Sequence, residues 1–216
     1  MIEVRNLSLK SGGKTLLQDI DFKLKEGEKG VVYGESGAGK TSLFRTLIGL
    51  QRPSTGRVLI GGLDLNPQNI TEIRNLTCYV PQQTQVFEME TAREFVTFPF
   101  SFKSNRQNTV GKQEILDLME KFHLKPKLLE SQMSELSGGE RQRLALVRGL
   151  LLKRRILLLD EVTSAVDEEN KERVMDLVFS DPDTTVLAVA HDPHWIERSS
   201  PRIQLDAGKI VSLETR

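Results

Sequence analysis

The sequence is short of several things, and each shortage excludes something. Among 216 residues there is one cysteine, Cys78, so no disulfide can form within the chain and a reducing, cytosolic compartment is expected. Neither charge is in excess, because 30 Lys+Arg stand against 30 Asp+Glu. That balance argues against bulk attraction to nucleic acid or anionic lipid and leaves only local patches. Long hydrophobic runs are also missing. Ile156-Leu157-Leu158-Leu159 and Val186-Leu187-Ala188-Val189-Ala190 fall far short of the about 20 apolar residues that a membrane span needs. The opening, Met1-Ile2-Glu3-Val4-Arg5-Asn6, lacks the apolar stretch of a secretory signal, so no export leader is expected. What is present is an ordinary globular composition, 38% hydrophobic and 28% charged, with no internal repeat. A chain of this length folds without a disulfide or metal staple.

Ile2, Val4, Leu7 and Leu9 alternate loosely with polar residues. Ile20, Phe22 and Leu24 alternate strictly with Asp21, Lys23 and Lys25, which predicts a half-buried strand. Glu26-Gly27-Glu28 reads as a turn before a short apolar strand, Gly30-Val31-Val32-Tyr33. Leu43, Phe44, Leu47 and Ile48 then recur at helical spacing, so the local order is strand, glycine-rich loop, helix. Pro53, Gly56 and Gly61-Gly62 break the next stretch into short strands and turns. Over roughly 84–135 the chain turns richer in Lys, Gln and Glu, and Ile115, Leu118, Met119 and Phe122 share one helical face. That stripe suits a helix packed in its own subdomain. From Leu136 onward a helix (140–152), a buried strand (156–159), a helix (168–179) and a buried strand (185–190) follow. Nearly all-apolar strands alternating with helices predict a parallel sheet covered on both faces. The expected fold is α/β with a helical insertion.

Gly34-Glu35-Ser36-Gly37-Ala38-Gly39-Lys40-Thr41 matches the phosphate-binding pattern G-x-x-x-x-G-K-[ST]. Glycines let the backbone curl until its N–H groups converge on phosphate oxygens, and the following helix adds its positive end. Lys40 would reach the β- and γ-phosphates, the Thr41 hydroxyl would ligate Mg²⁺, and Ser42 is placed for an α-phosphate oxygen. Ile156 to Glu161 is four apolar residues ending in two carboxylates. A buried strand would carry Asp160 to the sheet edge beside the phosphate loop, where it can hold the Mg²⁺ shell. Glu161, one residue further out, could polarise an attacking water as a general base. The alternative is a plain strand followed by a polar turn, and the phosphate loop favours the functional reading.

Leu136-Ser137-Gly138-Gly139-Glu140-Arg141-Gln142-Arg143 narrows the choice. Chance supplies its first five residues roughly once in two thousand chains of average composition. Ser137 is expected to cap the next helix, and the N–H groups of Ser137, Gly138 and Gly139 at a helix start suit a γ-phosphate. With this stretch the sequence resembles the ATP-binding cassette (ABC) family. Tyr79-Val80-Pro81-Gln82 looks like its Q-loop, with Gln82 the motif glutamine. Ser164-Ala165-Val166-Asp167 resembles the D-loop, and Val189-Ala190-His191-Asp192 the end of the switch-histidine strand. The motifs stand in the family's order from 34 to 192, and the strand patterns at both ends extend the resemblance over the whole chain.

The resemblance implies a P-loop NTPase: a RecA-like, mostly parallel sheet with flanking helices and an N-terminal antiparallel β region. The catalytic core would be 1–83 and 136–216, with a helical signature subdomain at 84–135. It also implies ATP hydrolysis with ATP and Mg²⁺ by a homodimer whose copies meet head to tail around two ATP molecules. Gly34, Glu35, Ser36, Gly37, Ala38, Gly39, Lys40, Thr41 and Ser42 of one copy would hold an ATP capped by Ser137, Gly138 and Gly139 of the other. Gln82 and Asp167 join that binding set. Glu161 would position the water, His191 would stabilise the γ-phosphate, and Lys40 and Gln82 complete the catalytic group. Thr41, Gln82 and Asp160 would be the metal set. Phosphoryl transfer needs positioning and charge stabilisation more than covalent chemistry, so closing a second subunit is a reasonable way to assemble the site.

Two positions depart from the family pattern. Leu9-Lys10-Ser11-Gly12-Gly13 has no aromatic residue where one usually stacks on adenine, which leaves stacking to aliphatic or Lys10 contacts. Val162 stands where a proline commonly follows the Walker B glutamate. The implied role is the ATPase subunit of a transporter, peripheral on the inner face of the cell membrane, with a separate transmembrane permease subunit as partner. Phe95, Phe98, Pro99, Phe100 and Phe102 form either a docking patch or a local core of the helical subdomain. Lys103, Arg106, Lys112, Lys121, Lys125 and Lys127 suit a membrane-facing side or a solvated helical face. Thr97-Phe98-Pro99-Phe100 and the compact length resemble small bacterial metal (iron) export cassettes.

A cell-division type cassette, which drives a membrane partner without moving a solute, is the second reading. A soluble repair or translation ATPase would bring long coiled coils or a second cassette, and the chain has neither. Arg141, Arg143, Arg148, Lys153, Arg154 and Arg155 are interleaved with leucines and balanced by acids, so no nucleic-acid partner is expected. A GTPase would need an N-K-x-D motif, which is absent.

Overall fold

A computed structural model describes residues 1–85, 90–105, 109–164 and 166–215. Strands β1 (Ile2–Ser11) and β2 (Lys14–Leu24) form a hairpin, and β3 (Lys29–Tyr33) leads into α1 (Lys40–Leu47). Next come β4 (Thr55–Ile60), β5 (Leu63–Asp64), α2 (Ile70–Leu76) and β6 (Thr77–Val80). Helices α3 (Ala92–Thr97), α4 (Lys112–Lys121) and α5 (Gly138–Leu151) follow. The chain ends with β7 (Ile156–Asp160), α6 (Glu168–Phe179), β8 (Thr185–Val189), α7 (Pro193–Arg198), β9 (Arg202–Asp206) and β10 (Lys209–Glu214). Two compact units result: Met1–Tyr79 with Arg155–Asp160 and Asp181–Arg216, and Val80–Arg154 with Glu161–Ser180.

The first unit is built on two sheets. An antiparallel one runs in the order β2-β1-β4-β5, and a mostly parallel one runs β10-β9-β3-β8-β7-β6. The loose alternation in β1 has a physical cause. Its buried positions change parity between Val4 and Leu7, where the register with β2 shifts. Asn6 absorbs the extra residue with φ 46°, a left-handed conformation that asparagine tolerates, and its N–H donates to the Asp21 carboxylate at 2.9 Å. At the hairpin tip, Ser11 pairs with Lys14 around Gly12-Gly13, both at positive φ as a two-residue turn requires. The stretch without an adenine-stacking aromatic is therefore this turn.

Strands β7 and β8 are buried along their whole length, which is why they read as unbroken apolar runs. Helix α1 buries Leu43, Phe44 and Leu47 in a core shared with Ile2, Leu17, Ile20, Ile156 and Leu187. Contacts of α1 with β2 and with β7 place it between the two sheets.

The second unit holds α3, α4, α5 and α6. Helices α3 and α4 both pack on α5, whose Leu144, Ala145, Leu146, Val147 and Leu151 are buried. Ile115, Met119 and Phe122 are buried as their helical stripe predicts. The aromatic cluster divides. Phe95 lies in the core with the Arg148 guanidinium 3.9 Å from its ring centre, whereas Phe98 and Phe102 are 54% and 51% exposed. Lys103, Lys112, Lys121, Lys125 and Lys127 are exposed; Arg106 lies outside the described residues. Among the described residues no helix is long and apolar enough to cross a membrane.

Candidate functional site

The phosphate loop joins β3 to α1, and two glycines fix its curl. Gly34 has φ 146°, and a Cβ there would stand 2.0 Å from the Leu205 carbonyl oxygen. Gly39, the N-cap of α1, has φ 104°, and a Cβ would lie 2.9 Å from Leu17 Cδ2 and 3.0 Å from the Leu16 oxygen. Any larger residue would force the loop open. No side chain caps α1 and no acid occupies its first turn, so the backbone donors of that turn are kept for the loop. Glu35, Ser36 and Gly37 are exposed, Ala38 is buried, and Thr41 and Ser42 begin the helix.

Lys40 is only 6% exposed, and its ammonium donates to the Gly34 and Glu35 carbonyls at 2.8 Å each. A buried ammonium held by two loop carbonyls is complementary to a polyphosphate, whose oxygens would replace those carbonyls.

Three neighbouring strands deliver the rest of the first unit's polar groups. β3, β8 and β7 are parallel, with Val32 and Asp160 both level with Val189. Their carboxyl ends therefore open on one edge, where ligands of such sheets bind, and release Gly34, His191 and Asp160 there. A cavity of about 600 Å³ brings Gly34, Glu35 and His191 together with Gln204 and Asp206. Asp192 accepts from the His194 N–H at 2.9 Å and starts α7 with Pro193, which sets the chain direction just after His191. Asp160 is 5% exposed, and the Tyr79 hydroxyl donates to its Oδ2 at 3.0 Å. Burial first, and the adjacent Asp160 carboxylate second, hold the Tyr79 phenol well above its usual range, so it stays a donor. Among the described residues no three His, Cys, Asp or Glu side chains form a metal cage. One carboxylate and one hydroxyl beside a phosphate loop do suit Mg²⁺, which binds few protein oxygens and takes the remainder from phosphates and water.

The second unit carries the other candidate residues. Gln82 donates its amide to Glu161 Oε2 at 2.6 Å. Glu161 has φ 49°, a left-handed conformation costing about 1 kcal/mol for a residue with a Cβ. The turn after it supports that backbone, because the Ser164 N–H donates to the Glu161 carbonyl at 3.1 Å and Val162 is buried. A carboxylate oriented by an amide partner on an overdetermined turn can serve as a proton acceptor.

Ser137 caps α5 as its residue type predicts. Its hydroxyl accepts from the Glu140 N–H at 3.3 Å and donates to the Glu140 carboxylate at 2.8 Å. Hydrogen bonds from the Ser137 backbone N–H first, then from its hydroxyl, hold the Glu140 carboxyl below its usual range. Gly138 and Gly139 are the first two residues of α5. Asp167 caps α6 by accepting from the Asn170 N–H at 3.1 Å, and Asn170 lowers its carboxyl as well. Ala165, within the same motif, lies outside the described residues.

Two residues escaped the sequence reading as individuals. One is Tyr79, quoted only within the Q-loop stretch Tyr79-Val80-Pro81-Gln82. The other is Gln142 of α5, 3% exposed, whose amide donates to the Pro81 carbonyl at 3.0 Å and accepts from the Thr84 hydroxyl at 3.3 Å. Three of the six basic residues from Arg141 to Arg155 have partners within the second unit: Arg148 stacks on Phe95, Lys153 pairs with Glu114 at 2.8 Å, and Arg154 bonds to Asn105.

A glycine-curled loop, a buried lysine in it, and a carboxylate and a histidine from adjacent parallel strands define the nucleotide-hydrolysing class of P-loop proteins. The profile of the ABC transporter family matches residues 17–164, and the chain belongs to that family. It is an ATP-binding, ATP-hydrolysing transporter subunit. Relatives include the probable iron export ATP-binding protein FetA of Escherichia coli, 31% identical over 95% of this chain and 91% of its own length. The methionine import ATP-binding protein MetN of Clostridium acetobutylicum is 33% identical over 97% of this chain and 67% of its own length. An ATP-binding cassette solved as a dimer in a post-hydrolysis state with ADP and Pi superposes with a TM-score of 0.89 at 28% identity, covering 100% of this chain and 98% of that one.

Proposed function

We propose that two copies of this chain close head to tail around two ATP molecules and drive a separate permease from the inner face of the membrane. The observation that carries this reading is the division of the candidate groups between the two compact units. Gly34 to Ser42, Asp160 and His191 belong to the first unit, while Ser137, Gly138 and Gly139 belong to the second. In the proposed assembly, one copy's phosphate loop holds the nucleotide and the other copy's α5 start supplies N–H donors to its γ-phosphate. The relative solved as a dimer with ADP and Pi supports a nucleotide-bound pair of cassettes.

Within the assembly, the Lys40 ammonium leaves the loop carbonyls for β- and γ-phosphate oxygens. Thr41, Asp160 and the Gln82 side-chain oxygen would hold Mg²⁺, which would neutralise charge on the transferring phosphoryl group. Glu161 orients the attacking water and takes its proton, His191 donates to the γ-phosphate, and Asp167 lines the second copy's face. In function, 1–83 and 136–216 act as the motor and 84–135 as the coupling subdomain, a division that cuts across the two compact units.

The docking surface for the permease is the exposed Phe98–Phe102 pair, whose rings meet edge to face with centres 5.1 Å apart. The proposed solute is a metal ion such as iron, the cargo named for FetA, which is 31% identical over 95% of this chain and 91% of its own length.

Fractionation of the native cells, with the Phe98 and Phe102 variant expressed in place of the wild type, tests the docking. Wild-type protein is expected in the membrane pellet. Replacing Phe98 and Phe102 by serine should move it to the supernatant while ATP turnover of the purified protein stays within about twofold, since exposed substitutions cost little stability. Unchanged sedimentation of the variant would remove this surface from the reading.

A further inference from the structure

Tyr79 stands on β6 among buried neighbours, with Cys78 and Val80 pointing to the opposite face of the strand. Its ring side is half-buried, and its hydroxyl ends on Oδ2 of Asp160, the last residue of the fully buried strand β7. The two residues lie 81 apart in sequence and meet only because the sheet runs β8-β7-β6. A phenol donating to a buried carboxylate forms a charge-assisted bond, and it uses one lone-pair direction of one oxygen. It thereby fixes the plane of the carboxyl group. The ring anchors the donor rigidly, because tyrosine has two side-chain torsions and both are set by packing against the sheet.

We propose that Tyr79 is a positioning residue for Mg²⁺. By orienting the Asp160 carboxylate, it presets the protein oxygen that faces the metal of the bound nucleotide. The inference rests on the reading of Asp160 as a metal-shell carboxylate. Ligating carboxylates are themselves hydrogen-bonded in working metal sites, and losing such an outer partner weakens metal affinity or activity by about tenfold or more. Tyr79 acts through Asp160, so it affects metal-dependent binding and leaves metal-free nucleotide binding alone. A purely packing role would predict the reverse: lower thermal stability and equal loss with and without metal.

Tyr79→Phe keeps the ring and deletes only the donor. The measurement is binding of a fluorescent ATP analogue by the intact protein, titrated with Mg²⁺ and repeated in excess EDTA, with thermal melting of the nucleotide-free protein alongside. The expected result is a Mg²⁺ half-saturation raised about tenfold at unchanged affinity in EDTA, with the same split appearing in turnover as a higher Mg²⁺ requirement. Asp160→Asn and the double variant complete a cycle in which Tyr79→Phe has no further effect once Asp160 is neutral. If Asp160→Asn shifts the Mg²⁺ midpoint and Tyr79→Phe does not, the positioning role is overturned while the reading of Asp160 survives. If Asp160→Asn leaves the midpoint in place, the reading of Asp160 fails first. A fall in binding that is equal in EDTA and Mg²⁺, or a variant that melts early, contradicts positioning and assigns Tyr79 to packing.

Discussion

Glu161 combines two unusual features at the scale of a single residue: a left-handed backbone and a 2.6 Å hydrogen bond from Gln82. Strain of this kind persists where the surroundings overdetermine it, and at functional sites it aims a side chain. Replacing Glu161 by Gln keeps its size and its partner but removes the proton acceptor. ATP binding should therefore stay near wild type while single-turnover hydrolysis slows by about 10²–10⁴-fold, the range general base catalysis supplies. Retained turnover in a phosphate-release assay would remove Glu161 as the base. The glycine-curled loop, the Asp160-Glu161 pair ending a buried strand and the Ser137 cap of α5 were legible in the sequence, because tight turns, buried strands and helix caps restrict which residue types can serve. The Gln82–Glu161 and Tyr79–Asp160 bonds were not, because they join residues 79 and 81 apart that only the fold brings together.

At the scale of elements, local rules and chemistry coincide at α5. The Ser137–Glu140 capping box starts the helix, and the proposal also asks that start to meet a γ-phosphate. The Glu140 carboxyl lies below its usual value in the fold, so its contribution is fully present above the unfolded value of about 4.3 and is lost as pH falls through the lower folded value. Glu140→Gln should therefore melt below wild type at neutral pH, and the two melting curves should converge as the medium becomes more acidic than about pH 4. A constant gap across that range would mean the carboxylate charge is not what the cap uses.

Element types were largely readable because β7 and β8 are apolar throughout and α4 repeats every three or four residues. The change of parity in β1 was hidden, since it depends on one backbone angle at Asn6 and on Asp21 across the hairpin. Likewise, nothing in composition separates Phe95 from Phe98 and Phe102. Phe95 is buried because it stands on α3, which packs on α5, whereas Phe98 and Phe102 lie beyond the end of α3 and are exposed.

For the whole molecule, a balanced charge and the lack of a spanning helix among the described residues give no general attraction to a bilayer. The proposed membrane role therefore asks for a specific docking surface, and the proposed nucleotide chemistry for a second copy. In a head-to-tail dimer each site takes its phosphate loop from one chain and its α5 start from the other. Two defects that each abolish turnover can therefore be complementary. Lys40→Ala should fail to hold the phosphates, and Ser137→Arg should block the opposite face. Mixing the purified variants tests the shared site directly. Random pairing makes half the dimers mixed, each with one intact site, so turnover should return to at most about a quarter of wild type. A mixture as inactive as either variant alone, under conditions where the chains are shown to exchange, would contradict the shared site.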